Sequence, residues 1–226
     1  MDLRHKQWLQ ERQALQASLA RPDEHDRAVE LFLRQHAAVH TAAVGQSQVW
    51  SFEDELWQDI PEEAVRFIPP KTGHSIAWMI WHITRIEDMT MNVLVAKEPQ
   101  VFSQENWPKR LNAAFRDTGN AMNAEEVARL SAVMDVDALR AYRAAVGLRT
   151  REVICQVPQG AFKHKIDAAQ LQILSDQGDV AAEAGWLLQY WGGRSTAGLM
   201  LMPATRHPLV HLDEAMRVKQ SYLRLK

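Results

Sequence analysis

Apolar residues recur at steps of three and four through most of this chain, the period of a helix that buries one face. Over residues 2–20, Leu, Trp and Ala alternate with Arg, Gln and Glu at that spacing, and Pro22 followed by Asp23 and Glu24 marks a second helix with an acidic first turn. That helix is predicted to reach Gly45, with Val29, Phe32, Val39 and Ala43 along its apolar side and His36 among them. Ser51 is placed to cap a short helix ending before Pro61, and Pro61, Pro69, Pro70 and Gly73 predict an extended connection over 61–73. Ile76, Met79, Ile80, Ile83 and Ile86 then predict a strongly apolar helix over 75–96, with His82 at its middle and Arg85, Glu87 and Asp88 late in it.

Beyond Pro99 the period loosens, and Trp107, Pro108 and Gly119 predict an irregular excursion to about residue 123. Asn123 with Glu125 and Glu126 reads as a capped start, and Asp135 or Asp137 opens a further helix that Pro158 and Gly160 end. Residues 164–192 predict one helix closed by Gly192 and Gly193. STAGLMLMP stops at Pro203, after which Thr205 is placed to cap the last helix, with Pro208 tolerated in its first turn. Short apolar runs such as VRFIPP fit strand or helix equally. The sum is an all-α bundle, with no low-complexity segment and no internal repeat.

With 226 residues and 46% hydrophobic content, the chain can bury a core without staples. A formal charge of -2 and a pI near 6.5 argue against generic binding to nucleic acid or an acidic membrane. Cys155 is the single cysteine, so no intrachain disulfide forms and a reducing compartment is expected. MDLRHKQWLQERQALQ lacks the apolar core of a secretory signal, and no apolar run has the length of a membrane span. A soluble, cytoplasmic protein acting on a small molecule is the expectation.

The chemistry concentrates in histidine. His207 and His211 in TRHPLVHLDEAMRVKQ leave one helix face a turn apart and can chelate one ion. The pattern lacks the Glu of a HExxH zincin and is permissive by itself, but Ala215, Val218 and Tyr222 continue the same side, so the rings are expected to face other helices. His82 in SIAWMIWHITRIED is the best third donor, and three histidines would leave open coordination positions. His36 and His40 in RQHAAVHTAAV have the same spacing and are a rival pair, with a polar edge of the bundle as their plain reading.

Weaker candidates surround these. Glu87 and Asp88 suit a general base or an acceptor behind a ligand, against a solvated helix face, and Asp213 and Glu214 read the same way. Cys155 reads as a packed, inert residue near a helix end. WGGRSTAG lacks the GKS or GKT of a P-loop and reads as a helix break. Trp78, Trp81, Trp186 and Trp191 suit core or interface packing, and Arg206 suits either an anionic ligand or the surface.

GHSIAWMIWHITRIED, followed much later by PATRHPLVHLDEAMRVK, resembles the DinB superfamily of four-helix-bundle metal proteins, particularly its uncharacterised DinB-like branch. The resemblance implies an up-and-down bundle with additional short helices, a domain over 22–226 and an N-terminal helical extension over 1–21. It also implies a divalent metal, zinc or nickel above all, held by His82, His207 and His211, with His36 and His40 outside that set. Related members include transferases and isomerases that use low-molecular-weight thiols, so a thiol cosubstrate and a homodimer are implied as well. The resemblance leaves three functional readings: activation of a small thiol for S-transfer to an electrophile, metal-assisted hydrolysis by bound water, and non-catalytic binding of a metal or ligand.

Overall fold

The computed structural model describes residues 3–46 and 51–225. Helix α1 (Leu3–Leu19) buries Trp8, Leu15 and Leu19 against α2 (His25–Ala38), so the helix expected over 2–20 is found, position 2 lying outside the described residues. On α2 the buried side chains Ala28, Leu31, Phe32, Gln35 and His36 follow the three-and-four period. The expected run to Gly45 is interrupted: the chain leaves the helix at Val39, whose amide turns back to the His36 carbonyl, and resumes in α3 (Ala42–Gly45).

Helix α4 (Phe52–Trp57) starts as expected, from a reciprocal capping box between Ser51 and Asp54. The stretch expected to be extended instead holds α5 (Glu62–Arg66), because Pro61 presets the backbone before the first turn and Glu62 and Glu63 favour its amide end. Ser75 caps α6 (Ile76–Asp88), which continues through Ala96 in wider π-type turns and stops at Lys97 in the left-handed conformation. After α7 (Trp107–Arg110), Asn123 and Glu126 box the start of α8 (Ala124–Val133) and Asp135 caps α9 (Val136–Gln156).

The single helix expected over 164–192 is two, α10 (Ala168–Asp176) and α11 (Trp186–Gly192), because Gly178 turns the chain with φ +66°. Helix α12 (Thr196–Leu201) runs through a π turn at Met202–Arg206 into α13 (His207–Leu223). Thr205 therefore does not cap α13. Pro203 has no amide to continue the α-helical ladder, and the Thr205 hydroxyl donates instead to the carbonyls of Met200 at 2.9 Å and Leu201 at 3.1 Å.

Four of these helices close a ring in which α2 touches α9, α9 touches α6, α6 touches α13, and the turn leading into α13 returns to α2. Among the described residues there is no strand, only a bridge between Lys165 and Ser195. Every residue of α6 is buried, since neighbours pack around its whole circumference. Its polar residues must therefore find partners inside.

Arg85 and Asp88 find them in the excursion after Ala96, at Tyr142 on α9 and at Asp179 beyond α10. Asp88 accepts the amides of Val101 and Phe102 at 2.9 Å each and the Tyr142 hydroxyl at 2.6 Å. Arg85 donates to the Arg116 carbonyl at 2.7 Å, to Tyr142 at 2.9 Å and to Asp179 at 3.3 Å, and Asp179 also receives Gln100 at 2.6 Å and Arg116 at 2.9 Å. Irregular backbone is thereby fastened to the central helix by charged hydrogen bonds shielded from water.

Candidate metal centre

Where α6 packs against α13, His82 from the first meets His207 and His211 from the second. The His82 ring is 3% exposed, and its Nδ1–H donates to the Thr118 carbonyl at 2.6 Å, leaving the Nε2 lone pair aimed inward. His82 Nε2 and His207 Nε2 lie 3.1 Å apart, and all three rings bring a nitrogen within 4.8 Å of the others. Ring centroids stand 4.7 to 5.0 Å apart with planes at 72° to 86°, three edges facing one point. Neighbouring ligands of a tetrahedral ion bound at about 2.0–2.1 Å are themselves roughly 3.3 Å apart, so the donor set fits a metal.

Local sequence explains the aim. A π turn inserts an extra residue and rotates the remainder of the helix by roughly 100°. The insertion at Met202–Arg206 ends at His207, so it sets which face of α13 meets α6. Pro208 lies in the first turn, where a missing amide costs least.

The excursion fixes the His82 ring from outside. Trp78 stacks on His82 at 4.7 Å and 10°, His74 stacks on Trp78 at 3.8 Å, and His211 meets the edge of Trp78 at 6.3 Å. Gly119 permits this: its φ is +80°, and a Cβ there would stand 3.0 Å from Trp78 Nε1. Gly119 reads in the sequence only as a mark of irregular backbone and Thr118 not at all, because a backbone carbonyl and an absent side chain leave no periodic trace of a role at His82. His211 Nδ1 lies 2.8 Å from Glu214 Oε2, a carboxylate that can orient a ligating imidazole.

Burial holds all three rings in the neutral, ligand-competent form. It lowers His82 to about 3, with His211 adding to the effect. His207 falls well below the usual imidazole range through burial and then the proximity of His82 and His211, and its Nδ1 is buried without a hydrogen-bond partner. His211 is lowered by burial, with Glu214 opposing.

A second cluster lies between α2, α6 and α9. His36 and His40 are fully buried rather than at a polar edge, and Glu87 and Asp88 are fully buried rather than on a solvated face. The sequence reading fails here because it assumes α6 has an outer side. His36 Nε2 is 2.9 Å from Glu87 Oε1, His40 Nε2 is 3.2 Å and 3.0 Å from Oε1 and Oε2, and Arg143 donates to Oε2 at 2.8 Å. Arg143 also reaches Glu53 at 3.3 Å and the Val39 carbonyl at 3.1 Å. Burial would raise Glu87, but His40, Arg143 and His36 together hold it well below the usual carboxylate range. Burial lowers His36 and, with Arg143, lowers His40 further.

The remaining candidates separate. Asp213 pairs with His5 at 2.8 Å, and Arg206 is half-buried beside the site. Cys155 is exposed rather than packed, and Trp186 is 55% exposed, whereas Trp78, Trp81 and Trp191 are buried. Gly192 ends α11, as a helix break requires.

The sequence model described as the DinB superfamily matches residues 46–192, a span that includes His82 and Glu87 and stops before His207. A solved structure described as a conserved protein from Enterococcus faecalis is 17% identical, with a TM-score of 0.58 over 84% of this chain and 94% of that one, a likeness of fold. No curated protein matches the sequence.

Proposed function

From the premise that this chain belongs to the DinB superfamily, we propose that His82, His207 and His211 hold a divalent metal, zinc or nickel, and that the site activates a small thiol for transfer to an electrophile. The carrying observation is the convergence of three neutral imidazoles with His82 Nε2 3.1 Å from His207 Nε2. A dication bound only by neutral ligands keeps its full charge and can lower the pKa of a thiol or water brought to it.

The chain's own groups then have distinct duties. Thr118 selects the His82 tautomer, and Trp78 fixes the ring plane. Glu214, partly exposed beside His211, is placed to take the proton a thiol loses, and His74 stacks on Trp78. A small-molecule substrate, a homodimer and a cytoplasmic setting belong to the same reading; among the described residues no helix is long and apolar enough to cross a membrane.

The test begins with metal content of the purified protein and of His82→Ala, His207→Ala and His211→Ala. Each substitution is expected to lower metal content, and undiminished content in all three overturns the ligand assignment. Thiol consumption is then measured with several low-molecular-weight thiols and a chlorinated aromatic electrophile. Loss of thiol that disappears on chelation and returns with metal supports the transferase reading. Metal-independent or absent consumption refutes it.

A further inference from the structure

His36, His40 and Glu87 are too well ordered around one point to be only a sealed polar patch. His36 Nε2 and His40 Nε2 stand 2.9 and 3.2 Å from the same carboxylate oxygen, Glu87 Oε1, distances close to those between ligands sharing one ion. The two rings stack at 4.1 Å and 24°, His36 from the last turn of α2 and His40 from the bend that follows it. As a hydrogen-bond network alone, both Nε2 atoms must carry protons toward Glu87. Both Nδ1 lone pairs are then left in the fully buried interior without donors. For His40 this is worse than neutral, because its Nδ1 faces Glu53 Oε2 at 4.0 Å, one lone pair against another.

An ion reverses the tautomers. Each Nε2 lone pair turns to the metal, each Nδ1 carries the proton, and His40 Nδ1–H then faces the Glu53 carboxylate at 4.0 Å, so that a positive N–H replaces a lone pair beside it. Arg143 occupies the other oxygen of Glu87 and also holds Glu53, fixing both carboxylates. On α9, Gly147 provides the slot for the ring: a Cβ there would lie 2.5 Å from His40 Nδ1.

We infer that His36, His40 and Glu87 form a second divalent-cation site, separate from the centre at His82, His207 and His211. Two imidazoles and one carboxylate suit zinc or iron(II). The ligands are fully buried, so the site braces α2 against α6 instead of admitting a substrate.

The experiment uses the full chain stripped with chelator, reloaded with zinc and freed of excess metal. About two equivalents per chain are expected for the unaltered protein and about one for the combined His82→Ala, His207→Ala, His211→Ala variant. Adding Glu87→Gln to that variant should remove the remaining equivalent. If the Glu87→Gln chain does not fold, the combined three-histidine variant decides alone. It should melt higher with added zinc and show visible absorption with cobalt(II). A three-histidine variant that retains no metal and gains no thermal stability overturns the inference, as does a second equivalent indifferent to Glu87→Gln in a folded chain. Failure of the primary centre reads differently: the three-histidine variant then keeps all its metal while Glu87→Gln removes it.

Discussion

Gly147 lies inside α9, where replacement by alanine ordinarily stabilises a helix by about 1 kcal/mol. Here the opposite is expected. The new methyl would stand 2.5 Å from His40 Nδ1, 2.7 Å from His40 Cε1 and 2.8 Å from Val44 Cγ1. The His40 ring cannot retreat freely, because Glu87 holds its Nε2 and the His36 ring lies against its face. Overpacking of this kind costs about 1–3 kcal/mol, and loosening a hydrogen bond to a charged group adds roughly 1.5–3 kcal/mol. After the helix gain is subtracted, Gly147→Ala should destabilise the fold by about 1.5–5 kcal/mol. At about 2–4 °C per kcal/mol for a chain of this size, Tm should drop by about 3–20 °C. Thermal melting of metal-free protein measures this, with Gly193→Ala as control. Gly193 has right-handed helical angles, and its added Cβ would meet nothing closer than 3.6 Å, so little change is expected there. An unchanged or higher Tm for Gly147→Ala would refute the tight seating of His40.

The other buried groups have outcomes of their own. Tyr142→Phe removes a hydroxyl that donates to Asp88 and accepts from Arg85, and should cost about 1.5–3 kcal/mol, read as a lower urea midpoint with an unchanged slope. Metal-free protein should lose stability as pH falls below the ordinary imidazole range. Buried His36, His40, His82 and His207 stay neutral in the folded chain while the unfolded chain takes up protons. The slope is up to about 1.4 kcal/mol per pH unit for each histidine. Glu53 and Asp88, raised by burial, act oppositely, their contribution being largest at low pH and lost as pH rises through their folded values. Urea titrations from pH 7 to 5 test the sign, and stability that rises on acidification over that range contradicts it. Glu214→Gln leaves the His211 side chain in place but removes the negative charge beside its Nδ1. It should weaken metal binding by about 10–100-fold, measured by competition with a chromophoric chelator.

The helical architecture was legible because it rests on short-range signals. The caps at Ser51, Asn123 and Asp135 and the three-and-four apolar period each act within a turn or two of chain. Boundaries were misread where backbone geometry overrode periodicity, as at Val39, at Gly178 and at the π turn through Pro203. His207 and His211 were legible as a pair by helical spacing and His82 joined them through the family resemblance, and the fold brings the three together.

By itself, then, the sequence determined most of the helical segments, α5 and the break at Gly178 excepted, and which face of α13 carries paired imidazoles, because those properties depend on residues within a few positions of one another. Only the tertiary structure decided that α6 has no solvent face. That single fact turns Glu87 and Asp88 from surface acids into buried hubs and draws His36 and His40 inward to Glu87. It also sets the Thr118 carbonyl against His82 across a long stretch of chain. Burial and partner choice depend on what packs from distant sequence, and they lower His82, His207 and His211 at one cluster and His36, His40 and Glu87 at the other.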